Sequence, residues 1–173
     1  EAEADDRRRA PTPGAHSRRL HQRGVSAEFL VYLTFACDLW AWTTDEVTQF
    51  LVKPATEQLT HGLRRCFADI PALGRFFGPA NVFASHTWQG RWGDLVAAVC
   101  AGGARQRKIW IDVFAVRQWP GNEADLDFRG VIQRTSATIV TMPRVDLKST
   151  HALAARQEWV KRCWEGDTFA KTS

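Results

Sequence analysis

"NVFASHTWQGRWGDLVAAVCAGGARQRKIWIDVFAV", residues 81–116, decides the fold of this chain. Its first apolar run, Val82-Phe83-Ala84, stops at Ser85, His86, Thr87 and Trp88, and reads as a short strand with a polar ending. Trp92, Leu95, Val96, Val99 and Cys100 then fall at i, i+3, i+4, i+7 and i+8, one apolar helical stripe, and Gly102-Gly103 supplies its stop. Lys108 to Val116, "KIWIDVFAV", is apolar on both parities except for Asp112, as a strand covered on two faces would be.

Downstream, Leu126 to Thr135 is a weaker helix candidate and Ala137 to Met142, "ATIVTM", a third strand closed by Pro143. A final helix is expected over Thr150 to Trp164, with Leu153, Trp159, Val160 and Cys163 on one side. Strand and helix thus alternate, which predicts a parallel sheet with helices on both faces, joined by right-handed crossovers.

Upstream, Thr43 followed by Glu46 forms a capping-box pattern, and Asp45 favours the positive end of a helix. Val47, Phe50 and Leu51 continue at helical spacing, Pro54 should kink or end that turn, and Leu59, Leu63, Cys66 and Phe67 resume it. Val25 to Trp42 fits helix or strand. The expected organisation is a flexible basic lead over 1–24, a helical lead segment over 25–78, an α/β domain over 79–165 and a divergent tail over 166–173.

The length of 173 residues suits one core of ordinary size. Eight tryptophans stand out in a composition otherwise close to globular averages, and imply either a rich core or an aromatic-lined pocket. The net charge is +4, but Arg7, Arg8, Arg9, Arg18, Arg19 and Arg23 carry much of the excess in a segment with few core formers. A nucleic-acid face on the folded part is therefore not expected. The basic segment reads as a solvated lead, with an arginine-rich arm or the remnant of a targeting peptide as alternatives.

The chain opens at Glu1 without a methionine, so a fragment or processed form is expected. Its longest apolar run, Phe29 to Cys37, is too short for a membrane span, and no membrane partner is expected. Cys37, Cys66, Cys100 and Cys163 are scattered without metal-ligand spacing, which fits a reduced, cytoplasmic protein whose thiols behave as small buried hydrophobes.

In an open parallel sheet, ligands bind outside the carboxyl ends of the strands. Ser85, His86 and Trp88 fall at one such end; Asp112, Arg117, Gln118 and Trp119 fall at the next, before the Pro120-Gly121-Asn122 turn. These residues are expected to share one crevice. The pattern excludes several chemistries: there is no G-x-S-x-G elbow, and adjacent Ser85 and His86 would point to opposite faces of a strand. Neither glycine-rich phosphate loop occurs. An aspartyl-phosphate receiver would need an acidic pair where serine and histidine stand. Zinc would find only His86 and Asp112, so no metal is expected. Burying the Asp112 carboxylate costs several kcal/mol unless it is partnered, so a donor such as His86, Arg117 or a backbone amide is required.

"FASHTW", "DLVAAV", "IWIDVFAVRQ", "ATIVTM" and "WVKRCW", in that order, resemble the Toll/interleukin-1 receptor (TIR)-like superfamily, especially its heterokaryon-incompatibility (HET) branch and related algal and protist proteins. Ser85-His86-Thr87-Trp88 resembles the branch's Ser-His-x-Trp motif. Trp110-Ile111-Asp112 with Arg117-Gln118 resembles its Trp-Ile-Asp strand with a following Asn-Gln or similar pair, and "TTDEVTQFLVKPAT", Thr43 to Thr56, resembles the lead found in the algal and protist group. The resemblance spans roughly residues 43–164.

That resemblance implies a three-layer flavodoxin-like sheet binding NAD or a similar nucleotide, as ligand or substrate rather than resident cofactor. Some members hydrolyse the nicotinamide–ribose bond; others act by self-association or by assembling with further TIR/HET-like domains. It further implies that His86 and its neighbours line the pocket and that Trp88 or Trp119 stacks on a base. The family's catalytic glutamate follows a Trp-Cys-x-x-Glu pattern, whereas this chain has Cys163-Trp164-Glu165 and then "GDTFAKTS". Glu165 is thus the candidate catalytic residue at altered spacing, and the last two strands of the fold are missing. A domain truncated at its C-terminus is expected.

Overall fold

The computed structural model describes residues 18–60, 63–102 and 105–141. Residues 1–17 of the expected lead, the expected helix over 150–164, Glu165 and the tail 166–173 lie outside the described residues. The strands are β1 (Gly24–Ser26), β2 (Leu59–Thr60), β3 (Leu63–Arg64), β4 (Phe77–Gly78), β5 (Val82–Ser85), β6 (Lys108–Trp110) and β7 (Ala137–Val140). The α-helices are α1 (Ala27–Ala36), α2 (Thr44–Val47), α3 (Lys53–Thr56), α4 (Trp92–Cys100), α5 (Asp112–Ala115) and α6 (Phe128–Ile132).

The expected alternation is present. β5 pairs in parallel with β6, Phe83 opposite Trp110, and with β7, Ser85 opposite Val140. α4 lies between β5 and β6 in the chain, and α6 between β6 and β7, on the other side of β5. Crossovers of constant hand running in opposite directions put their helices on opposite faces. The side chains agree. Val82, Ala84, Ile109 and Ile111 point into the core formed with α1 and α4. Phe83 and Trp110 point the other way, into a smaller core with Val131 and Phe128 of α6. All five stripe residues of α4 are buried.

The sheet is not wholly parallel. Its order is β4-β1-β6-β5-β7, and β1 runs antiparallel to both β4 and β6, so that four strands point one way and β1 alone is reversed. The result is a mixed α/β sheet compatible with a flavodoxin-like fold. Two strands come from the segment expected to be a helical lead, which therefore belongs to the same sheet and core. The ambiguous stretch beginning at Val25 is both structures in turn: Gly24–Ser26 is a fully buried strand, and the Ser26 hydroxyl then accepts from the Phe29 amide to cap α1.

Other expectations are corrected as well. Arg23 is not part of a flexible lead, because its side chain, 6 % exposed, is ion-paired beneath the sheet edge. Lys108 to Val116 is a strand only as far as Trp110. There the Asp112 carboxylate accepts from the Val113 amide, a local bond that competes with the ladder, and the chain turns into α5. Leu59 and Leu63 form the β2–β3 hairpin instead of resuming a helix. Cys66 and Cys100 are buried as expected, but Cys37 is exposed at the end of α1.

Candidate functional site

The site forms where β5, the strand at which the order reverses, ends beside β6. The loop leaving β5 is held by the start of the α2 helix. The capping box is complete: the Thr43 hydroxyl accepts from the Glu46 amide at 3.1 Å, and the Glu46 carboxylate accepts from the Thr43 amide at 2.7 Å. The Thr43 bonds hold the Glu46 carboxyl below its usual range. Two further N–H groups, of Thr44 and Asp45, donate to the carbonyls of Gly90 and Trp88, each at 2.9 Å. Amides that a helix start leaves unpaired thus fix the Trp88 loop.

Behind Trp88 lies a polar cluster. The indole N–H of Trp88 donates to Oδ2 of Asp112 at 3.2 Å, and the Val113 amide donates to Oδ1 at 2.8 Å. These donors partner the carboxylate, which the structure leaves half-buried and not enclosed as expected. Nε2 of His86 stands 3.5 Å from Oδ1, within ion-pair range but without a hydrogen bond. The His86 side chain is only 4 % exposed, against 22 % for Asp112. Burial pushes the imidazole pKa down and Asp112 opposes this in part. His86 also faces a cavity of about 10 Å³, enough for about one water, with Arg91 and Thr141 among its other walls.

In front of Trp88 lies an open cleft of about 300 Å³. One wall is the Gln118–Asn122 loop, with Gln118, Trp119, Pro120 and Asn122 facing in; the other carries Thr48, Gln49 and Lys53. The loop is tied at each step. The Arg117 amide and Nε donate to Asp125 at 3.1 and 2.7 Å, and Asn122 donates to the Arg117 carbonyl at 2.9 Å. Gln118 donates to the carbonyls of Asp112 and Val116 at the two ends of α5. Trp119 donates to the Thr56 hydroxyl at 3.1 Å, and the Arg64 guanidinium lies 3.8 Å from its ring centroid. Gly121 takes φ +87°, which a side chain would strain.

No protein-family model, curated protein or solved structure matches this chain.

Of the residues expected at the site, Trp88, Gln118 and Trp119 therefore line one cleft, with Asp112 and His86 packed behind it. Ser85 is exposed at the end of β5, where its carbonyl accepts from the Thr141 amide. Arg117 is turned to Asp125. Sequence reading missed Thr48, Gln49, Lys53 and Asn122, and the buried Arg23–Asp125–Arg117 linkage beneath the loop. On the helical wall the Thr43–Glu46 cap, the spacing of Val47, Phe50 and Leu51, and Pro54 marked a helix, but nothing in them pointed to Thr48, Gln49 or Lys53 as cleft residues. Among the described residues, no group of three or more His, Cys, Asp or Glu is placed to hold a metal ion, and no helix is long and apolar enough to cross a membrane.

Proposed function

We propose that this is a TIR/HET-like signalling domain that binds a nucleotide such as NAD in the cleft walled by Trp88 and Trp119. The observation that carries the reading is the meeting of two indoles, from separate strand-end loops, around one open space at the carboxyl edge of the sheet. A flat ring offers a nucleobase about 1–3 kcal/mol of stacking, and neighbouring Gln118 and Asn122 carry amides suited to base or ribose edges. The volume is at the lower end of ligand pockets, about 300–1,000 Å³, and suits one base-ribose unit with the rest of a dinucleotide in solvent.

Binding without efficient cleavage is the form of the reading favoured here. Asp112 is committed to Trp88 and the Val113 amide, and the other candidate carboxylate, Glu165, departs from the family spacing. Calorimetric titration with NAD should give saturable binding that weakens at least about tenfold in Trp119→Leu. No heat up to millimolar NAD would reject the reading. Nicotinamide release, measured with and without Glu165→Ala, tests residual hydrolysis.

A second reading, a non-catalytic module acting by self-association, draws on Tyr32 and Phe35. They lie at i and i+3 on α1 and are 65 % and 45 % exposed. Sedimentation over a range of concentrations, repeated with Tyr32→Ser/Phe35→Ser, separates the two: a dimer lost in the double variant favours this second reading.

A further inference from the structure

The helical wall of the cleft, within the stretch Thr43 to Thr56, contains a feature that helical spacing did not predict. α2 and α3 are joined end to end by a π-helical turn, Thr48–Val52, in which the Lys53 amide donates to the Thr48 carbonyl five residues back. Pro54 explains its position. A proline cannot donate to the carbonyl four residues earlier, that of Phe50, and its ring crowds that group, so the preceding turn widens. Single π turns inside helices occur frequently at functional sites. Here the residues at the two ends of the turn, Thr48 and Lys53, both face the cleft.

Lys53 is the only charged residue lining that space among the described residues. Its ammonium donates to Oε1 of Gln49 at 2.9 Å, while the Gln49 amide donates to Asp45 at 3.3 Å. Asp45 thus orients Gln49, whose neutral carbonyl faces the lysine. The ammonium therefore points at the cleft held by a neutral acceptor, with donors to spare, and lies 5.6 Å from the Trp119 ring centroid. An aromatic wall with Lys53 facing the cleft and Arg64 stacked on the Trp119 ring suits a planar group attached to an anion.

We propose that Lys53, oriented by Gln49 on the π turn, is the phosphate-recognising residue of the cleft and makes the site select phosphorylated over unphosphorylated nucleosides. This rests on the nucleotide reading and adds the origin of its selectivity. The base stacks against indole, and a phosphate oxygen accepts from the Lys53 ammonium, a charge-assisted bond that a nucleoside cannot form.

The test titrates the whole chain and its Lys53→Met and Lys53→Arg variants with AMP, adenosine and inorganic pyrophosphate, following tryptophan fluorescence and heat. AMP should bind the parent chain at least about tenfold more tightly than adenosine, about 1.4 kcal/mol. That preference should collapse in Lys53→Met and survive in Lys53→Arg. Equal affinities for AMP and adenosine, or a preference that persists in Lys53→Met, would overturn the proposal. If pyrophosphate alone binds and Lys53→Met abolishes it, the nucleotide reading fails while the role of Lys53 stands; no response to any of the three overturns both.

Discussion

The indole N–H of Trp88 donates to the carboxylate of Asp112 across 3.2 Å, joining the loop that leaves β5 to the turn that leaves β6. The same carboxylate stands 3.5 Å from His86, so it helps set both the placement of a cleft wall and the proton affinity of a buried imidazole.

Replacing that carboxylate should move His86 in a defined direction. Burial lowers the His86 pKa and Asp112 raises it in part, so Asp112→Asn removes the opposing influence and should lower the imidazole pKa further. An NMR titration of the histidine ring in both proteins measures it. An upward shift in Asp112→Asn would show that the carboxylate does not stabilise the imidazolium.

The same histidine makes stability depend on pH. Its folded pKa is below the unfolded value of about 6.5, so the unfolded chain takes up the proton first. The stability it contributes is complete above about pH 6.5 and is lost as the pH falls through the lowered folded value. Urea unfolding at about pH 7.5 and about pH 5 should show a smaller acid loss in His86→Gln than in the parent chain. Equal losses would acquit His86.

Asp125 lies between two arginines, 2.9 Å from Nη1 of Arg23 and 2.7 Å from Nε of Arg117, with its side chain 6 % exposed. Asp125→Ala takes the carboxylate from Arg117 and leaves Arg23 with Asp69, 3.7 Å away, as its counter-ion, and should cost about 1–3 kcal/mol in denaturant unfolding. A loss below about 1 kcal/mol would mean that water or other acceptors replace the carboxylate.

Gly93 reverses an ordinary rule. Alanine inside a helix usually stabilises by about 1 kcal/mol relative to glycine. A Cβ at this position would stand 2.8 Å from the Trp40 carbonyl oxygen and 2.9 Å from its indole. Gly93→Ala should therefore destabilise by about 1–3 kcal/mol, read as a lowered Tm. A raised Tm would show that Trp40 yields.

Local patterns were legible in the sequence wherever the determining interactions are local. The five buried residues of α4, the Thr43–Glu46 cap and the strand at Val82–Ser85 follow from spacing alone, because a helix stripe, a cap and a two-sided strand are written within a few residues. The polar ends of β5 and β6 followed too, once the sheet was expected to be largely parallel. The short strands at Gly24–Ser26 and Phe77–Gly78 were not legible: strands of three and two residues carry too little periodicity and exist because a sheet edge is there to pair with.

By itself the sequence determined an α/β alternation and the residue types available at its carboxyl edge. Only the tertiary structure decided which of them meet. It turned Arg117 to Asp125, put Asp112 against Trp88, and brought Lys53 to the cleft from a helix more than thirty residues before the Trp88 loop. The reversal of β1 delivered Arg23 to that same edge. Charges and indoles have no periodicity to reveal their partners; a buried ion pair or a pocket wall is fixed by chain reversal and sheet order, which bring together residues far apart in sequence.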